Sequence, residues 1–172
     1  MSVGEMSVRD AVAADLPAIK AIYDEQVAHG LATFDTVPPP LAYWQDRLDS
    51  PDHLLVAVDR TDGETVLGYA YSSTYRPRAA YDRTKEVSVY LDEPARGRGV
   101  GRALYDDLLA RLRTDGIHTV LAVIALPNPA SEALHRGFGF ERVGLLPEVG
   151  YKLGRWVDTA FYALVLERPT VG

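Results

Sequence analysis

The chain has 172 residues, of which 47% are hydrophobic and 24% are charged, as is typical of a globular domain rather than a disordered chain or a membrane protein. It has no cysteine, which excludes disulfides, thiolate metal sites and a cysteine nucleophile. Its formal net charge of −6 disfavours nucleic acid as a partner, since binding to a phosphate backbone needs a basic surface.

The ends of the sequence carry no targeting pattern. Residues 1–10 lack the basic start and apolar stretch of a secretion signal, and no apolar run is long enough to cross a bilayer. We therefore expect a cytoplasmic protein with no membrane partner. We also expect one domain over residues 1–172, with its core at about 8–166, because no linker or internal repeat divides the chain.

The first half of the chain alternates between short strand and helix patterns. Residues 8–10 form a predicted strand, and Asp15 is the predicted cap of a helix. The apolar residues of this helix recur at helical spacing and are Leu16, Ile19, Ile22, Tyr23 and Val27. A second helix is predicted at 41–48, after a stiff loop of three prolines. Strands are predicted at 54–58, 65–74 and 86–91, and their short loops favour antiparallel pairing.

The second half contains two more helices and three more strands. A helix is predicted at 101–114, with Gly116 at its C-terminal end, and the apolar run 120–126 predicts a strand buried on both faces. A helix at 129–136 and strands at 142–145 and 157–166 follow. Strands 86–91 and 120–126 flank a helix and should form a parallel crossover. The order predicts an α/β fold whose mixed, mostly antiparallel sheet of about seven strands is flanked by about four helices.

Arginines and glycines alternate in the segment 96–101, RGRGVG, between a predicted strand and a predicted helix. Amides at a helix start converge on an anion, and Arg96, Arg98 and Arg102 make this segment basic in an acidic chain. The pattern indicates a pyrophosphate ligand, and the alternative is a glycine-rich turn with solvated arginines. Arg102 replaces the third glycine of a dinucleotide-binding motif, and the Gly-x-x-x-x-Gly-Lys-Ser/Thr motif is absent from the sequence.

Two motifs in succession resemble the coenzyme-binding elements of the GNAT acetyltransferases. The first is Arg-x-x-Gly-x-Gly, and the second is Asn128-x-x-Ser131, followed by His135 and Gly139-Phe140. Segments 75–81, 86–90, 122–128 and 150–156 resemble the phosphinothricin and methionine sulfoximine N-acetyltransferases of that family, and the similarity spans residues 8–166.

The resemblance implies the GNAT fold, acetyl-CoA as co-substrate, no metal, and acetyl transfer to the α-amine of a small amino-acid analogue, such as phosphinothricin or methionine sulfoximine or sulfone. Taken by itself, Asn128 could equally be a cap for the helix that follows it. The implied coenzyme-binding residues are Val89, Tyr90, Leu91, Arg96, Gly97, Arg98, Gly99, Val100, Gly101, Arg102, Asn128, Ser131 and His135.

Glu86 matches the general base proposed for the resembled group. An amine must be neutral to attack a thioester, and apolar strand neighbours of Glu86 would raise its pKa by desolvation. The alternative is an outward-facing residue that pairs with Lys85 or Arg83. One amide of residues 89–91 would stabilise charge on the thioester oxygen. His135 would either donate a proton to the departing thiolate or hold the pantetheine in place.

The predicted acceptor site comprises Phe34, Arg78, Ala80, Tyr81 and Glu86. Arg78 and Tyr81 are the candidates for binding a carboxylate or phosphinate, and Phe34 would supply an apolar wall. The alternative for the arginine and tyrosine is a solvent-exposed polar loop.

The resemblance also implies a homodimer, in which the segment around Val149, Gly150 and Lys152 of the partner subunit approaches the acceptor. Two other functions stay open from the sequence. One is acetylation of a different small amine or of a peptide N-terminus, and the other is an acyl-CoA-binding sensor without turnover.

Overall fold

The computed structural model describes residues 6–166, so both ends of the predicted domain, residues 1–5 and 167–172, lie outside the described residues. Its elements in chain order are β1 (Met6–Asp10), α1 (Leu16–His29), α2 (Leu41–Leu48), β2 (Leu54–Asp59), β3 (Thr65–Thr74), β4 (Thr84–Leu91), α3 (Val100–Thr114), β5 (Thr119–Ala125), α4 (Pro129–Gly137), β6 (Glu141–Lys152) and β7 (Arg155–Val165). Short 3-10 helices lie at Ala13–Asp15, Ala79–Tyr81 and Glu93–Ala95. The predicted number of strands and helices is confirmed.

All seven strands form one mixed sheet in the order β1-β2-β3-β4-β5-β7-β6. Neighbouring strands are antiparallel except β4 and β5, which are parallel and are joined through α3 as predicted. Only residues Thr84, Lys85 and Glu86 of β4 pair with β5, opposite Thr119, Val120 and Leu121. Beyond Glu86 the two strands separate, and a cleft opens between them.

Two apolar cores lie on opposite faces of the sheet. Leu104, Leu108 and Leu112 of α3 are buried on one face, against residues of β2 to β7. Ile19 of α1 and Trp44 of α2 are buried on the other face, against β2 and β3. Because α1 and α2 cover only the β1–β4 side, the β5–β7–β6 side has one face without a helix.

This uneven cover makes the prediction of a doubly buried β5 wrong. Burial alternates along the strand, with Val120, Ala122 and Ile124 buried under α3 while Val123 is 41% exposed. The apolar run therefore predicted the strand correctly. The predicted burial of its second face was wrong, because no helix of the described residues covers that face.

The sixth strand is also longer than predicted, since it extends to Lys152 instead of ending near residue 145. Its pairing with β7 is irregular between Leu146 and Gly150, where Glu148 has a positive φ of 50°. The strand accommodates Pro147 in this irregular stretch as a bulge.

Asp15 immediately precedes α1 but does not cap it through its side chain. Its carboxylate instead accepts hydrogen bonds from the Val12 amide at 2.8 Å and from Arg9 at 2.7 Å. The predicted capping role was therefore wrong, because the arginine and an upstream amide bind the same oxygen atoms.

Candidate active site

The space between β4 and β5 is a cavity of about 510 Å³ that reaches the start of α3 and the side of α4. Its lining includes Val87, Ser88, Val89, Tyr90 and Leu91 from β4, Arg96, Gly97, Gly99, Val100, Gly101, Arg102 and Tyr105 from the glycine-rich loop and α3, and residues 122–125, Asn128, Ala130, Ser131, Leu134 and His135 from β5 and α4. Every predicted coenzyme-binding residue except Arg98 is in this lining. Arg98 is exposed. Hydrogen bonds from Thr61 lower the pKa of Asp59, and the charge of Arg98 has a weaker effect in the same direction.

The glycine-rich loop adopts the backbone conformation that its glycines allow. Gly97 and Gly99 have φ values of 71° and 81°, and a Cβ added to either would meet no atom within 4 Å. The requirement for glycine therefore comes from the backbone and not from crowding. Helical hydrogen bonding begins with Ala103 N donating to Gly99 O at 3.0 Å, so the amides of 100–102 have no partner within the helix. With Arg96 and Arg102 beside them at the positive end of α3, these amides are suited to an anion.

An unpaired strand edge continues from this anion site. The edge of β4 that faces β5 has no strand partner beyond Glu86, whereas the opposite edge is paired with β3 as far as Leu91. Backbone groups on a free edge can bind the amides of an extended ligand as a neighbouring strand would. The cavity thus has a helix start suited to phosphate at one end, and along its wall a strand edge that can form hydrogen bonds with an extended ligand.

Asn128 caps α4, and its position is also compatible with the predicted binding role. Its Oδ1 accepts from the Ser131 amide at 3.1 Å and so caps α4, and its side chain also lines the cavity. The peptide bond before the adjacent Pro127 is cis. The cap fixes the start of α4, and hence the orientation of the residues on that helix.

His135 is 3% exposed and is hydrogen-bonded at both nitrogens. Nδ1 lies 2.7 Å from Ser131 O, which can only accept, and Nε2 lies 3.0 Å from Tyr105 Oη. Burial lowers the pKa of the ring, which favours the neutral form. Since Nδ1 donates to the carbonyl, Nε2 has no hydrogen and accepts a hydrogen bond from the tyrosine hydroxyl. The single ring proton is directed to a backbone carbonyl and not into the cavity. This geometry favours the holding role for His135 over the acid role.

Glu86 lies at the last paired position of β4, opposite Leu121, and is half-buried. Burial raises its pKa, and no hydrogen bond or ion pair to its carboxylate occurs among residues 6–166. The predicted alternative partners are engaged elsewhere, since Lys85 pairs with Asp52 at 2.6 Å and Arg83 donates to Gly116 O at 2.9 Å. Ser88, on the same face two residues along the strand, lines the cavity.

All five predicted acceptor residues, Glu86 included, lie outside the cavity lining, although Glu86 directly precedes Val87, which belongs to it. Arg78 and Ala80 are exposed on the loop before β4, and Tyr81 is half-exposed with its ring edge against Tyr75. Phe34 is 40% exposed after α1, where its ring covers the backbone of Gly150. The structure therefore brings the coenzyme residues together but leaves the acceptor residues at its margin.

A neighbouring cavity of about 480 Å³ shares Gln26, Ala32, Ala125 and Asn128 with the first and adds His29 and Arg155. Sequence reasoning predicted Asn128 but missed Gln26, Ala32, Ala125, His29 and Arg155, and also Tyr105. The helical pattern of α1 marks only its apolar positions, and the packing of its C-terminal end beside β5 places Gln26 and His29 at the site.

Other kinds of site were also sought in the structure. No group of His, Asp and Glu that could hold a metal ion occurs among residues 6–166. Within the same residues, no helix has the length and apolar character needed to cross a membrane.

A parallel strand pair that opens beside a basic helix start defines a fold and site suited to a phosphate-bearing acyl carrier. The sequence profile of the acetyltransferase (GNAT) family matches residues 19–140, and the chain belongs to this family. It is an acetyl-CoA-dependent N-acetyltransferase, with acetyl-CoA as co-substrate.

Relatives within the family align with nearly the whole chain. An L-methionine sulfoximine/L-methionine sulfone acetyltransferase of Pseudomonas aeruginosa is 42% identical over 165 residues, which are 94% of this chain and 95% of the relative. A phosphinothricin N-acetyltransferase of Streptomyces coelicolor is 41% identical and covers 96% of both chains. A solved phosphinothricin acetyltransferase of Sinorhizobium meliloti in complex with AcCoA has a TM-score of 0.90 and 42% identity, over 98% of this chain and 95% of its own.

Proposed function

We propose that this enzyme acetylates the α-amine of a small amino-acid analogue, such as phosphinothricin or methionine sulfoximine or sulfone, with Glu86 as the general base. The acceptor class is supported by the relatives named above. The observation that carries the role of Glu86 is its half-buried, unpartnered carboxylate at the point where β4 and β5 separate. Such a group can accept a proton because no cation in the described residues already binds it.

The reaction then needs two contributions from the chain, a base for the acceptor ammonium and an amide for the thioester oxygen. The carboxylate of Glu86 takes a proton from the acceptor ammonium, directly or through one water, and frees the nitrogen lone pair. The nitrogen attacks the thioester carbonyl, so that a C–N bond forms while the C–S bond breaks and the coenzyme leaves as a thiolate that takes up a proton. An amide on the free edge of β4, within residues 89–91, stabilises the charge that develops on the carbonyl oxygen.

Binding of acetyl-CoA is assigned to the rest of the cavity. The amides of 100–102, with Arg96 and Arg102, are placed to hold the pyrophosphate, and the edge of β4 beyond Glu86 is placed to hold the pantetheine arm. His135 acts by joining α4 to α3 through Tyr105, which keeps the two helices that border the coenzyme at a fixed separation.

The proposal includes a homodimer and a cytoplasmic location. Val123 is exposed on the sheet face that no described helix covers, and further large apolar side chains are exposed on β6 and at the start of β7, namely Val143, Leu145, Leu146, Val149 and Trp156. Exposed apolar side chains grouped on neighbouring strands favour a protein partner, and a second copy would cover them. It would also enclose the acceptor loop that carries Arg78 and Tyr81, which are exposed in the single chain.

This proposal limits which residues of the partner's segment can reach the acceptor. Gly150 and Lys152 are buried against their own chain, at Phe34 and at the carbonyl of Thr33. Val149 and Tyr151 face outward on the same strand and are exposed. The partner contribution is therefore assigned to Val149 and Tyr151 and not to the lysine side chain.

The decisive experiment offers acetyl-CoA with phosphinothricin, methionine sulfoximine, methionine sulfone, unmodified amino acids and a peptide N-terminus, and follows the release of free thiol. We expect the highest kcat/KM with one of the first three and a large loss in Glu86→Gln. Turnover of the peptide alone would contradict the acceptor class, and binding of acetyl-CoA without thiol release from any amine would favour a sensor.

A further inference from the structure

The loop after α1, which carries Phe34, is tied down by the phenol of Tyr23. The hydroxyl of Tyr23 lies 2.7 Å from Thr33 Oγ1 and donates to Asp35 Oδ2 at 2.6 Å, and the Asp35 amide donates to Thr33 Oγ1 at 3.1 Å. These bonds define the turn on both sides of Phe34. They do not by themselves set the distance between the turn and the cavity.

That distance is fixed by a buried lysine from the other end of the chain. Lys152, at the end of β6, is 4% exposed, and its Nζ donates to Gln26 O at 2.9 Å and to Thr33 O at 2.8 Å. No carboxylate of residues 6–166 lies within 4.0 Å of this cation. Its direct partners are therefore backbone carbonyls, one of which belongs to the negative, C-terminal end of α1, and the Asp35 carboxylate adds a favourable field from beyond ion-pair distance.

The same face of β6 supports the ring of Phe34. A Cβ added at Gly150, two residues before Lys152, would collide with this ring, so the phenylalanine rests directly on the strand backbone. Tyr90, which lines the cavity, donates from its hydroxyl to Ala32 O at 3.2 Å. The loop is thus held from β6 at residues 33 and 34 and from β4 at residue 32.

We propose that Lys152 is a positioning residue for acetyl transfer, which holds the loop 31–35 to α1 and β6 so that Phe34 and Ala32 border the acceptor end of the cleft. It acts through the loop backbone and does not itself touch the acceptor. This inference rests on the proposed acceptor site beside Phe34. A buried cation satisfied mainly by carbonyls is costly to keep in an apolar surrounding, and a neutral side chain of similar length would fill the same space.

The test compares Lys152→Met with the unmodified enzyme, and Lys20→Met is the matched control because Lys20 pairs with Asp24 on the surface of α1. Loss of the charged hydrogen bonds should raise the acceptor KM about tenfold or more, with the acetyl-CoA KM within about twofold of the wild-type value. Hydrogen exchange at the amides of 31–36 should quicken in Lys152→Met and stay unchanged in Lys20→Met. Lys152→Arg keeps the cation with altered reach, is expected to fold, and should show a smaller rise in the acceptor KM.

A chemical rescue separates the amine from the shape of the side chain. Because the chain has no cysteine, the thiol of Lys152→Cys is the single site for alkylation by 2-bromoethylamine in denaturant, followed by refolding. The aminoethyl product should recover a low acceptor KM, and the carbamidomethyl product should not. The inference would be overturned if a folded variant without the amine kept the wild-type acceptor KM and the wild-type exchange rate in the loop. An equal rise in both KM values would also overturn it. If none of the amino-acid analogues is a substrate, the proposed function fails, and the exchange experiment still decides the role of Lys152.

Discussion

His135 Nε2 and Tyr105 Oη lie 3.0 Å apart in the buried space between α4 and α3. Each ring packs on the other edge to face, with centroids 5.2 Å apart. Tyr105 is fully buried and donates a hydrogen bond to the histidine, so the pair links two helices that both border the cavity. This geometry favours a linking role for the neutral histidine over proton transfer to the coenzyme.

Replacement of His135 by phenylalanine should therefore reduce stability and coenzyme affinity more than turnover. The Tyr105 hydroxyl would be left buried without its acceptor, at a cost of about 1–3 kcal/mol in the free energy of unfolding. We expect a raised acetyl-CoA KM, with kcat within about threefold of the wild-type value. Thermal unfolding measures the stability, and steady-state kinetics measure KM and kcat. His118→Phe is the control, because His118 lies directly before β5. A loss of kcat of a hundredfold with unchanged stability would support the acid role instead.

Replacement of Glu86 by glutamine should remove about a hundredfold or more of kcat/KM. Because burial raises the pKa of Glu86, the acid limb of the wild-type pH–rate profile should lie above the pH at which an ordinary glutamate titrates. In Glu86→Gln this limb should disappear, and the remaining rate should rise with pH as the free amine becomes more abundant. Retention of the same limb in the variant would assign it to another group.

The same substitution should make the protein more stable at neutral pH. A carboxyl whose pKa is raised in the folded state contributes stability in acid, and this contribution is lost as the pH rises through the folded-state pKa. Glu86→Gln should thus unfold at a higher temperature than the wild type at neutral pH, and the difference should shrink in acid. In the proposed mechanism, the ionised carboxylate that takes the proton is therefore also the form that lowers stability. Thermal unfolding across pH measures the effect, with Glu132→Gln as a control on α4, and equal unfolding temperatures at all pH values would contradict it.

Gly99 and Gly137 form a matched pair, since an added Cβ meets no atom within 4 Å at either position and only Gly99 has a positive φ. Gly99→Ala should cost about 1–2 kcal/mol of stability through the backbone alone and should raise the acetyl-CoA KM by displacing the amides of 100–102. Gly137→Ala, in α4, should be neutral or slightly stabilising. Calorimetry and coenzyme titration compare the two, and equal effects would show that the left-handed turn is not required for the anion site.

The local features of the predicted coenzyme site were accessible from sequence. The glycine-rich loop, the helix start and the cap at Asn128 are each specified by residues adjacent in the chain, and the structure brings them together around one cavity. The parallel β4–β5 pair followed from the succession of strand, helix and strand, whereas the position of β7 between β5 and β6 was not predicted.

The acceptor side was much less accessible, because it is assembled from distant segments. Lys152 contacts Thr33 across 119 positions of sequence, and Gly150 meets Phe34 only because β6 continues through a proline and a bulge. No local pattern encodes these contacts. In the same way, the apolar run of β5 gave no sign that Val123 lies on a face without a covering helix.

That face leads to the prediction on assembly. If a second copy covers it, the wild-type chain should have the mass of a dimer in light scattering, and a charge at Val123 or Val143 should shift it toward monomer, since an unpaired charge is strongly disfavoured in an apolar interface. Val12→Asp, at an exposed apolar residue that follows β1, at the opposite end of the sheet from β6, is the control and should stay dimeric. The monomeric variant should keep its coenzyme affinity, because the cavity lining comes from one chain, and should lose acceptor affinity if Val149 and Tyr151 of the partner subunit complete the site. A monomeric wild-type enzyme with full activity would contradict both parts of this prediction.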